Sequence, residues 1–99
     1  MKTLHYSFAQ IEAFATIAET GSLSRAAIRL GKDRTTLRDL LDYLEDALGY
    51  ALFLREGRSL ALTAEGEQLF RQAHLLLRQA QAFESFAQTL PRTAGQGLR

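Results

Sequence analysis

The chain contains no cysteine and no tryptophan, and only one proline and one methionine. Without cysteine there is no disulfide framework and no thiolate metal site, and two distant histidines, His5 and His74, do not form a metal constellation. No cofactor is called for. No stretch approaches the roughly 18 apolar residues that a membrane span needs. Met1 to Ser7 lacks the apolar core of a signal peptide, so a cytoplasmic location with no membrane partner is expected. No grouping of Ser, His and acid has a spacing that suggests nucleophilic chemistry, and no enzyme is expected. A surplus of one charge is missing too: 12 Lys and Arg face 11 Asp and Glu, a net charge of +1. Phosphate contacts normally demand a local excess of cations, so a nucleic-acid role has to rest on where the charges sit.

What is present is an ordinary globular composition, 46% hydrophobic and 23% charged over 99 residues, enough for one small domain with an appendage. Phe8, Ile11, Phe14, Ala15 and Ala18 recur at helical spacing between Ser7, a cap candidate, and Gly21, a stop; this predicts a helix from about Phe8 to Thr20. Ser22 offers a second cap before Ser24 to Leu30, where Ala26 and Ala27 allow close helix approach and Gly31 closes the segment. Asp33 caps a third helix, predicted over Arg34 to Leu48, with Leu37, Leu41, Leu44 and Leu48 on one face.

Leu52 to Arg55 and Ser59 to Leu62 then flank Glu56-Gly57-Arg58, a connection of hairpin length. Thr63 caps a last helix whose first turn carries Glu65 and Glu67, acids that the helix dipole favours there. Leu69, Ala73, Leu76, Ala80, Phe83, Ala87 and Leu90 keep alternating four- and three-residue steps along it, a coiled-coil seam. Pro91 is expected to stop this helix, and Arg92 to Arg99 reads as a linker.

Two short helices joined by a tight turn, a third helix and a hairpin make a mainly α, winged helix-turn-helix, followed here by a long helix. Phe14, Ala18, Glu19, Gly21-Ser22-Leu23, Ala26-Ala27, Leu30, Leu37, Leu44-Glu45, Leu48-Gly49, Leu52-Phe53, Arg55 and Leu62-Thr63-Ala64-Glu65-Gly66 together resemble the signature of LysR-type transcriptional regulators. The resemblance covers about Phe8 to Leu90 and implies a DNA-binding domain over 1–62 and a dimerisation helix over 63–90. It also implies a tail over 91–99 leading to an absent effector domain, with Gly95 to Arg99 as the lead-in to that domain's first strand.

On this reading the helix at about 34–48 enters the major groove and the wing at 52–62 lies on the backbone of double-stranded DNA. The DNA-contact candidates are Ser22, Arg25, Lys32, Arg34, Thr35, Thr36, Arg38, Arg55 and Arg58. Arg34, Thr35, Thr36 and Arg38 are expected at bases, whereas the N-terminus after Ser22 offers amides to a phosphate. A homodimer is expected through Leu69, Ala73, Leu76, Leu77, Ala80, Phe83, Ala87 and Leu90, and a higher oligomer in a full-length form.

The chain leaves the family pattern at one place. Where the family usually reads Ser-Gln-Pro-Ala-Leu-Ser, this sequence reads Asp33-Arg34-Thr35-Thr36-Leu37-Arg38, and Asp39 and Asp42 replace positions that are often basic or amide. From Ser22 to Arg58 there are seven cations (Arg25, Arg29, Lys32, Arg34, Arg38, Arg55, Arg58) and six acids (Asp33, Asp39, Asp42, Glu45, Asp46, Glu56). This near balance supports an alternative, a winged protein-interaction module in which DNA binding is weak or lost.

Overall fold

The computed structural model describes residues 5–57 and 59–90; Arg58 and the expected tail, with its Pro91 stop, lie outside the described residues. The chain runs α1 (Phe8–Thr20), α2 (Leu23–Leu30), α3 (Arg34–Leu48), β1 (Phe53–Glu56), β2 (Ser59–Leu62) and α4 (Ala64–Thr89). Each helix starts on the cap the sequence proposes. Ser7 Oγ accepts the Gln10 N–H while the Gln10 side chain accepts the Ser7 N–H, both at 3.1 Å, a reciprocal capping box. Ser22, Asp33 and Thr63 each accept one N–H at the start of α2, α3 and α4.

α1 is the centre of the domain, and it packs on α2, α3 and α4. Its residues Ala13 to Ile17 are buried. Phe14 presents its ring to the edges of Phe53 in the wing, at 5.7 Å, and of Phe70 in α4, at 6.4 Å, so one side chain ties three elements together. Buried Ala26 and Ala27 bring α2 close, and Leu37, Leu41 and Leu44 face the same core from α3. The tight turn between α2 and α3 needs a residue at positive φ. Gly31 supplies it at φ 66°, and the N–H groups of Gly31 and Lys32 satisfy the Ile28 and Ala27 carbonyls at the end of α2.

The wing differs in detail from the sequence expectation. Glu56 pairs with Ser59, so only Gly57 and Arg58 connect the strands, and Gly57 at φ 63° allows so short a turn. Leu52 is not part of the ladder. Its side chain is fully buried, its N–H donates to Glu45 Oε2 at 2.7 Å, and its carbonyl accepts the Thr63 N–H at 3.0 Å. The Thr63 hydroxyl in turn donates to the Ala51 carbonyl at 2.9 Å.

α4 is docked at its start and exposed at its end. Leu69, Phe70, Ala73 and Leu77 pack on the core, whereas every residue from Gln81 to Leu90 is exposed. Glu19 of α1 joins α2 to α4: one oxygen meets Arg29 Nη1 at 2.9 Å and the other lies 3.6 Å from His74 Nδ1. Among the described residues no helix is long and apolar enough to cross a membrane.

Gly66 is buried in the first turn of α4, where an added Cβ would overlap the Leu52 carbonyl oxygen and approach Leu62 Cδ2 to 3.0 Å. That carbonyl is backbone held by Thr63, so it cannot yield cheaply. Overpacking of this kind costs about 1–3 kcal/mol and outweighs the roughly 1 kcal/mol that alanine gains over glycine inside a helix. Gly66→Ala is therefore expected to lower the denaturant midpoint; an unchanged midpoint would show that α4 can shift off the wing.

Candidate nucleic-acid interface

Arg34, Thr35 and Thr36 form the first turn of α3, and together with Arg38, Arg25, Lys32 and Arg55 they are exposed; Arg58 lies outside the described residues. Ser22 is half-buried, and its hydroxyl oxygen accepts the Arg25 N–H at 3.1 Å. The structure brings Ser22 and Arg25 into one open cleft with Thr20, Gly21, Ser59 and Leu60, which places the second wing strand beside the start of α2. Two polar members of that cleft escaped the sequence reading. The Thr20 hydroxyl donates towards the Thr16 and Ser22 carbonyls at 2.9 and 3.0 Å, and the Ser59 hydroxyl donates to the Glu56 carbonyl at 3.0 Å. Only the Thr-Gly pair at the end of α1 could have signalled the first, and nothing local signals the second.

The acids separate by what holds them. Asp33 Oδ1 accepts the Thr36 N–H at 2.7 Å, and this backbone bond, followed by the Thr36 side chain, holds the Asp33 carboxyl below the usual carboxylate range. Glu45 is occupied by the Leu52 N–H. Asp42 lies 3.8 Å from Arg38 Nε, an i,i+4 pair with both side chains about half exposed, at 48% and 55%. A pair so long and so wet is worth little, and Arg38 remains free to turn to another anion. Asp39 and Asp46 are exposed and have no hydrogen-bond or ion-pair partner among the described residues. Of the cations, Arg29 is paired with Glu19 of α1.

The expected dimer stripe is divided by the fold. Ala73 is in the chain's own core at 5% exposure, and Leu69 and Leu77 pack against that core. Ala80 is half-buried, while Leu76, Phe83, Ala87 and Leu90 are exposed, with Phe83 at 74%. Phe86, 65% exposed, adds to the open end.

With α3 packed across α1 and α2 and a short wing set beside the start of α2, the fold is a winged helix-turn-helix. Comparison with known proteins makes this specific: residues 8–67 match the lysR family of bacterial regulatory helix-turn-helix proteins, and the chain belongs to that family. It is 42% identical over 69 residues to the HTH-type transcriptional regulator DgdR of Burkholderia cepacia, an overlap of 70% of this chain and 24% of that protein. The chain thus spans about a quarter of the length of the curated relatives it matches. Among solved structures it resembles oxidized OxyR of Corynebacterium glutamicum with a TM-score of 0.82 at 34% identity, over 90% of this chain and 27% of that one. It also resembles the DNA-binding domain of CbnR in complex with DNA, with a TM-score of 0.73 at 29% identity, over 83% of this chain and 94% of that one.

The Asp33 cap can be tested without DNA. Asn offers the same capping oxygen without the charge, so at neutral pH Asp33→Asn is expected to lower the thermal midpoint less than Asp33→Ala does. The folded carboxyl is depressed, so its stabilising effect is present above the ordinary carboxylate range and is lost as pH falls through the folded value. The gap between the Asp33 protein and Asp33→Ala should accordingly narrow in acid, and a pH-independent gap would argue against a charged cap.

Proposed function

We propose that this chain binds double-stranded DNA sequence-specifically as a homodimer and regulates transcription in the cytoplasm. The start of α3 lies in the major groove and the wing on the backbone. The observation that carries this reading is the exposed first turn of α3, with Arg34, Thr35, Thr36 and nearby Arg38, in a chain that resembles a DNA-bound domain over most of its length. Residues 1–62 act as the DNA-binding unit and 63–90 as the dimerisation helix, and 91–99 leads towards an effector domain. Ser22, Arg25, Lys32, Arg55 and Arg58 hold phosphates, and the α3 residues read bases.

If the five described cations Arg25, Lys32, Arg34, Arg38 and Arg55 engage the duplex, binding falls with a log-log salt slope of roughly −4 to −5. Arg38→Ala is expected to weaken specific binding by about 1–3 kcal/mol. The second reading, a protein-interaction module, draws on the unpartnered Asp39 and Asp46. A titration of the dimer with genomic fragments separates the two: no retardation even at low salt sinks DNA binding.

The exposed end of α4 supports the dimer. Leu76, Phe83, Phe86 and Leu90 are large apolar side chains left to water, and burying each against a second copy is worth about 1.5–3 kcal/mol. Leu69, Ala73, Leu77, Ala80 and Ala87 complete the interface by supporting this stripe from the docked side. Phe83 is the cleaner site to perturb because it has no place in the core. Phe83→Asp should give a folded monomer by sedimentation; a dimer that persists would place the interface elsewhere.

A further inference from the structure

Resting on the DNA-binding reading, we infer that Asp39 is a specificity-determining residue that selects a cytosine in the major groove of each half-site. Among the acids of α3 and its cap, Asp33 caps the helix, Glu45 holds the wing and Asp42 has Arg38 as a weak partner, whereas Asp46, beyond the first two turns, has no partner among the described residues. Asp39 is exposed and also unpartnered among the described residues.

Its position is on the outer face of the helix, which Asp46 shares. At about 100° per residue, a site two residues from both Leu37 and Leu41 lies roughly 160–200° from each, opposite the buried face. Thr35, four residues earlier, shares that face. Asp39 is also within the first two turns of α3, the part of a recognition helix that meets base edges.

An ionised carboxylate only accepts hydrogen bonds. Guanine offers N7 and O6 acceptors to the major groove and thymine offers O4, so both repel it, and adenine sets an acceptor, N7, beside its amine. Cytosine presents a donor alone, its N4 amine, and is the base a carboxylate accepts from. The guanine across that pair then suits Arg34 or Arg38. A charge that weakens general attraction to phosphate thus sharpens the choice among sites.

The test is selection from a randomised duplex pool, followed by affinities for the four base-pair variants at each selected position, for the unmodified chain, Asp39→Ala and Asp39→Asn. One position per half-site should prefer cytosine by about tenfold. Asp39→Ala should reduce that preference to about twofold or less without changing the others, and Asp39→Asn, which donates as well as accepts, should admit adenine there. Variants that bind all four duplexes more tightly by the same factor would overturn the inference, leaving Asp39 a source of uniform repulsion. Failure of the unmodified chain to bind any duplex would overturn the DNA-binding reading itself, and this inference with it. Asp39 is on the surface, so equal thermal midpoints should accompany either substitution.

Discussion

Leu52 sits where the third helix, the wing and the long helix meet, and both polar groups of its peptide are held from outside its own strand. Glu45 takes the N–H and Thr63 satisfies the carbonyl, while the side chain fills the core. A buried N–H or carbonyl left without a partner costs about 1–3 kcal/mol, so neither bond is dispensable once Leu52 is inside. Gly66 is small because the same carbonyl passes over it. The direction in which α4 leaves the domain is therefore set by a backbone group two elements away, and the position of the wing relative to α3 is set by a carboxylate.

The same contacts decide which charges are fixed in place and which can move. By sequence alone, six acids oppose seven cations between Ser22 and Arg58, and the surface looks nearly neutral. In the folded chain Glu45 and Asp33 keep their charge but are fixed in place by backbone N–H groups, and Arg29 is paired with Glu19. The first two turns of α3 and its cap carry Asp33, Arg34, Arg38 and Asp39, with Asp42 just beyond, a short list of closely spaced charges. Close opposite charges give a patterned field that fades quickly with distance, which suits discrimination at contact better than long-range attraction.

Most of the helical framework was legible in the sequence because it is written in local chemistry. Ser7, Ser22, Asp33 and Thr63 are caps whose partners lie three residues away, and the leucines of α3 mark a stripe that needs no tertiary information. What was not legible depends on contacts distant in the chain. Glu45 reads as one more surface acid until Leu52 arrives seven residues later, and Ser59 joins Ser22 only after the hairpin folds back. The stripe of α4 was visible as a whole, but its division was not: Ala73 and Leu76 look equivalent in a heptad, and only the docked core separates the one turned inward from those left outside.

The long helix is also a lever. Its 26 residues at about 1.5 Å each extend roughly 39 Å, and only the first part is gripped by the domain. A rotation of about 5° at the gripped end would move the far tip by roughly 3.4 Å, the rise of one base-pair step along a strand. In a two-fold assembly joined near that tip, the separation of the two reading heads would be governed by the fit of Gly66 beneath Leu52, a contact that touches no nucleotide.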